Sequence, residues 1–126
     1  MAARNENINI IIKKYFKKKV ILIDRFVDST IAYQHYGMGV NLNLIKNINK
    51  VILKGIKVDF TFLHYVSNKN MKKRLLKRKN LNRYDGFNMK FYQKVQSGYF
   101  KISKQNKSKY FLVNSNLSIN ENKKNI

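Results

Sequence analysis

The sequence predicts an α/β domain with a mostly parallel sheet. Three short apolar runs, Val20–Ile23, Val58–Leu63 and Tyr110–Val113, read as buried strands, and stretches with helical apolar spacing lie between them. Helix and strand following a first strand form a βαβ pattern, which implies parallel pairing through a right-handed crossover. The 126 residues suit one domain, and 44% apolar with 13% aromatic content is globular.

The elements follow in chain order. From Ala3 to about Lys17, Ile8, Ile11, Ile12, Tyr15 and Phe16 recur on one face of an amphipathic helix. The lysines that follow it suit the negative end of a helix dipole. Val20–Ile23 is the strand around which the chain is organised, and it stops abruptly at Asp24-Arg25. In open parallel sheets, ligands bind beyond the carboxyl ends of the strands. Asp28-Ser29-Thr30 supplies helix-start chemistry for a short helix through Gln34, and Gly37-Met38-Gly39 breaks it.

Leu44, Ile45, Ile48, Val51 and Ile52 form a second helical stripe that ends at Gly55. After the Val58–Leu63 strand, Ser67 is placed to cap a helix with Met71 and Leu75 inward. Phe87, Phe91, Val95, Tyr99 and Ile102 mark a long helix, and Tyr110–Val113 is the third strand. Ser118 and Glu121 have capping-box spacing.

Composition narrows the function classes. The chain has no cysteine, which removes disulfides and thiolate metal sites. No apolar run reaches membrane-spanning length, and the N-terminus has no hydrophobic signal region. A formal charge of +21 points to a polyanion partner or to compositional drift, since Lys, Asn and Ile all have AT-rich codons. His35 and His64 have no metal-ligand spacing and read as structural or surface residues. Taken alone, Asp24-Arg25 is a site or a structural ion pair, Arg74 and Arg78 are a site or a solvated helix face, and Tyr33 is a site or core.

The segment from Asp24 to Gln34, DRFVDSTIAYQ, followed by Gly37-Met38-Gly39, resembles the D-R-Y/F-x-D-S-S/T-x-A-Y-Q and G-x-G landmark of bacterial thymidylate kinases. Four further stretches are similar to the family in order. They are Ala2-Ala3-Arg4, Gly55 to Thr61, the lid-like stretch from Arg74 to Asp85, and Phe91 to Tyr99. The resemblance implies a partial P-loop nucleoside-monophosphate-kinase fold, a parallel sheet with helices on both faces. Residues 1–126 would be the C-terminal part of a single such domain, with a lid near 72–86.

It also implies transfer of the γ-phosphoryl group of ATP to dTMP with Mg2+, giving dTDP, in a cytoplasmic protein that is a possible homodimer. No membrane and no specific nucleic acid are expected as partners. By the same resemblance, Arg25 grips the dTMP phosphate and neutralises charge during transfer, and Asp24 orients Arg25 or helps place magnesium waters. Arg4 reaches the thymine edge, and Ser29, Thr30, Tyr33 and Gln34 line the nucleoside pocket. Arg74, Arg78 and Arg83 belong to the lid over ATP, with Arg83 also counted as catalytic. No protein ligand to a metal is assigned.

The match has gaps. None of the five glycines belongs to a G-x-x-x-x-G-K-S/T loop, the usual cradle for ATP phosphates. The expectation is therefore a chain that starts at an internal methionine, lacks the central phosphate-loop strand and is inactive alone. Val58, Asn82, Asp85 and Tyr65 also depart from the family pattern. Two other readings stand beside this one: a small basic nucleic-acid-binding protein, and a non-catalytic kinase half.

Overall fold

The structure is a computed structural model that describes Glu6 and residues 8–16, 18–77 and 88–126. Helix α1 comprises a wide turn over Ile8–Ile12 and a tighter one over Lys13–Tyr15. Ile8 and Ile12 are buried as their spacing predicts, whereas Phe16 is exposed. Helix α2 runs as an α-helix over Val27–Thr30 and continues as a π-helix over Ile31–Gly37, past the expected end at Gln34. It starts after Phe26 with no side-chain cap, so Asp28, Ser29 and Thr30 lie inside it rather than capping it, and the Asp28 and Ser29 side chains bond Tyr110 and Tyr99 instead.

Helix α3, Leu42–Leu53, begins under the side chain of Asn41, which accepts from the Asn43 and Leu44 backbone N–H groups. It ends with Lys54 and Gly55 both at positive φ. Its buried residues are Ile45 and Asn49, four apart, while Leu44 and Val51 of the expected stripe face outward.

Strand β1, Thr61–Tyr65, pairs in parallel with β2, Tyr110–Asn114. Between them run α4, Asn68–Leu76, and α5, Met89–Gln105. Ser67 caps α4 through the Asn70 N–H, as its sequence position predicts. Asn88 caps α5 through the Phe91 N–H. The last helix, α6, Ile119–Asn125, carries the full Ser118–Glu121 capping box.

The core lies where α5 packs on α2. Ala32, Phe91, Val95 and Ile102 are buried together, with Tyr33, Tyr36 and Tyr99 against them. Gly98 is required there. A Cβ would stand 2.5 to 2.7 Å from Cδ2, Cγ and Cβ of Tyr36, so the two helices meet at contact only a hydrogen allows. Tyr65 of β1 packs at a tilt against Phe100 of α5, ring centres 5.7 Å apart, which ties the sheet to the long helix.

Two expectations about strands change. The second strand begins at Thr61 rather than Val58. Val20–Ile23 is not a strand among the described residues, and Val20 and Leu22 are 91% and 89% exposed. Apolar content makes a run suitable for a sheet, but a strand exists only when a neighbour takes its N–H and C=O groups. Among the described residues the sheet consists of β1 and β2.

Candidate active site

The Asp24-Arg25 step leads from Val20–Ile23 into α2. Arg25 has φ of +60°, the left-handed region that a residue with a Cβ rarely enters. This backbone setting directs its guanidinium over α2. There Nη2 donates to the Tyr33 hydroxyl at 3.1 Å, and Cζ lies 5.2 Å from the centre of the Tyr33 ring. Burial works against the Arg25 charge, but Tyr33, Tyr99 and Asp24 more than offset it, so its pKa is held above the ordinary value. The guanidinium is thus a permanent cation seated against an aromatic residue.

Two hydroxyls from distant segments join this surface. Tyr99, on α5, shares a 2.6 Å hydrogen bond with Ser29 of α2. Burial raises the Tyr99 pKa, and the Ser29 bond partly opposes it. Tyr110, the first residue of β2, donates to Asp28 Oδ2 at 2.8 Å. Burial raises the Asp28 pKa, while the Tyr110 bond lowers it. Tyr110 is itself pushed far up, by burial first and then by the Asp28 bond and charge. Together the two bonds pin the first turn of α2 to both the long helix and the sheet.

A cavity of about 300 Å3 opens behind this turn, lined by Val27, Asp28, Ile56, Val58, Thr61 and Tyr110, among others. Arg25, Ser29, Thr30, Tyr33 and Gln34 do not line it.

The residues singled out from sequence are placed as follows. Arg25, Ser29 and Tyr33 share one surface, and Asp24 is exposed beside Arg25. Thr30 is only 7% exposed and so faces the interior rather than an open pocket. Gln34 is half-buried. Arg74 donates from Nη2 to the Ser115 carbonyl at 2.6 Å, just past the end of β2. Arg4, Arg78 and Arg83 lie outside the described residues.

His35 has Nδ1 2.9 Å from the Val40 carbonyl and His64 has Nδ1 3.2 Å from Ser115 Oγ, so both make protein contacts. Sequence reasoning missed Tyr99, Tyr110 and Asp28 as site-positioning groups. The available signal was a hydroxyl-bearing Tyr in each otherwise apolar run, because a buried Tyr O–H needs a partner. Nothing local identified the partners, 70 and 82 residues away.

No helix among the described residues is long and apolar enough to cross a membrane. Among them, no group of three His, Cys, Asp or Glu side chains converges as a metal cage.

The family model for thymidylate kinase matches residues 1–126. The thymidylate kinase of Trichodesmium erythraeum is 38% identical over 106 residues, covering 83% of this chain and 47% of that protein. The thymidylate kinase of Ehrlichia chaffeensis is 37% identical over 107 residues, covering 84% and 50%. A crystal structure of the Ehrlichia chaffeensis thymidylate kinase superposes with a TM-score of 0.68 at 30% identity, covering 94% of this chain and 52% of that one. The chain spans about half the length of the curated relatives it matches. The mixed α/β fold with a parallel strand pair agrees with that neighbour, and on the family match over its whole length the chain belongs to the thymidylate kinase family.

Proposed function

We propose that these residues form the nucleoside-monophosphate side and lid of a dTMP kinase, with residues 1–126 the C-terminal part of one domain and the lid near 72–86. The reaction is transfer of the γ-phosphoryl group of ATP to the dTMP phosphate, giving dTDP and ADP. Phosphoryl transfer asks a protein mainly for positioning and charge neutralisation. Arg25 suits both demands. Its fork can hold two phosphate oxygens, and the left-handed backbone and the Tyr33 ring set its direction before ligand arrives.

Asp24, exposed and next in sequence, orients Arg25 or accepts from magnesium-bound water. Mg2+ takes one or two carboxylates plus substrate phosphates rather than an all-protein cage, so this single carboxylate fits the ion. Held there, Mg2+ would supply charge neutralisation at the substrate phosphates. Ser29, Tyr33 and Gln34 line the nucleoside side, and Thr30 supports them from the interior. Arg4 reaches the thymine edge. Arg83, with Arg78, closes over ATP from the lid, and Arg74 anchors the lid's near end through Ser115. The chain contains no G-x-x-x-x-G-K-S/T loop, so ATP-dependent transfer depends on a phosphate cradle beyond these residues. Homodimeric assembly and a cytoplasmic setting complete this reading.

The observation that carries the proposal is Arg25 held at positive φ over Tyr33, beside the Ser29–Tyr99 bond. Its test is calorimetric titration with dTMP and with thymidine. The wild type should prefer dTMP. Arg25→Ala should cost dTMP at least tenfold in affinity, about 1.4 kcal/mol, and leave thymidine unchanged. Equal affinity of the wild type for the two ligands would remove Arg25 from phosphate recognition.

A further inference from the structure

We infer that the seam between α5 and the second half of α2 is a groove for single-stranded nucleic acid, held through its phosphodiester backbone. The groove, about 490 Å3, is lined by Tyr36, Lys90, Gln93, Lys94, Ser97 and Lys101. At 100° per residue, positions 90, 94, 97, 101 and 104 fall within one narrow sector of α5. The sector therefore carries Lys90, Lys94, Ser97, Lys101 and Lys104, all exposed. Lys90 to Lys101 extends about 16 Å along the axis at the usual helical rise.

The 17 residues of α5 include no Asp or Glu, so the helix itself carries no negative charge to offset the stripe. Tyr36 stands at its edge, with Lys101 Nζ 5.3 Å from the ring centre. A row of cations beside an aromatic face is the arrangement that tracks a phosphate backbone while a base stacks. Lys, Gln and Ser present no large apolar group for insertion into a lipid surface. Only an unpaired base offers a face to a single ring, which favours one strand over a duplex. This groove uses none of the residues assigned to dTMP.

The test is fluorescence anisotropy with a labelled oligo(dA) of about a dozen nucleotides, long enough to fill such a groove. Deoxyadenosine keeps the probe distinct from a thymidine pocket, so this result and the dTMP titration fail independently. Between about 50 and 200 mM salt, log affinity should fall linearly with log salt. The variant K90Q/K94Q/K101Q should flatten the slope by about 2, from three lost contacts at ~0.7 each.

An equally charged control, K46Q/K50Q/K57Q, alters exposed lysines elsewhere and should flatten it by less than half as much. Tyr36→Leu should lower affinity about fivefold with the slope unchanged, because stacking releases no counterions. Equal losses in the two triple variants would reduce the effect to bulk charge and overturn the groove. Absence of binding at low salt, or stripe-dependent binding to phosphatidylserine vesicles but not to oligo(dA), would overturn it too.

Discussion

Replacing Tyr110 with Phe removes one oxygen and tests how the first turn of α2 is held. The Tyr110 hydroxyl donates to Asp28 at 2.8 Å, and Asp28 lies three residues beyond Arg25. Hydrogen bonds to ionised groups contribute about 1.5–3 kcal/mol net, and the half-buried carboxylate loses a partner that water cannot fully replace. The expected loss is therefore about 2 kcal/mol at neutral pH. With an m-value of about 1–3 kcal/mol/M, the urea midpoint falls by about 1 M. The chain has no Trp, so far-ultraviolet circular dichroism is the natural probe.

The sign with pH is fixed by linkage. Burial lifts the Asp28 pKa above its ordinary 3.8, so ionising it costs the fold stability as pH rises from about 4 through the native value. The Tyr110 bond reduces that cost by favouring the carboxylate. The gap between Tyr110→Phe and wild type should therefore be widest above the native pKa and narrow on acidification. Asp28→Asn should remove the slope and match or exceed wild-type stability at neutral pH. An unchanged midpoint for Tyr110→Phe, or a gap that widens as pH falls, would show that the tether does not hold α2.

Three other perturbations probe the frame around the site. Asn41→Ala removes the acceptor for two N–H groups at the start of α3 and should cost about 1 kcal/mol in urea unfolding. Gly98→Ala drives a methyl into the stem of Tyr36. Overpacking of about 1–3 kcal/mol should outweigh the ~1 kcal/mol helix-propensity gain, giving a net drop in thermal midpoint. Ser29→Ala and Tyr99→Phe share one hydrogen bond, so the double variant should cost less than the sum of the singles. Strict additivity in unfolding energies would show the bond contributes nothing.

Much of this arrangement was legible in the residues because the signals are local. The Ser67 cap, the Ser118–Glu121 box, β2 and the apolar stripe of α5 each depend on spacings of a few residues. The Asp24 to Gln34 segment singled out Arg25, Ser29 and Tyr33, and the fold brings these three onto one surface. Thr30 was harder. Ser29 beside it bonds Tyr99, but Thr30, like Ile31, is turned toward the interior, and helical phase cannot be assigned until the packing face is known.

What the chain determined by itself is where α4 and α6 begin and which face of α5 is apolar, since backbone capping and periodicity act over one or two turns. The tertiary structure alone decided that Val20–Ile23 has no strand partner among the described residues and that Tyr99 and Tyr110 bond Ser29 and Asp28. Pairing and buried hydrogen bonds require two segments far apart in sequence to meet, and no local pattern encodes the meeting.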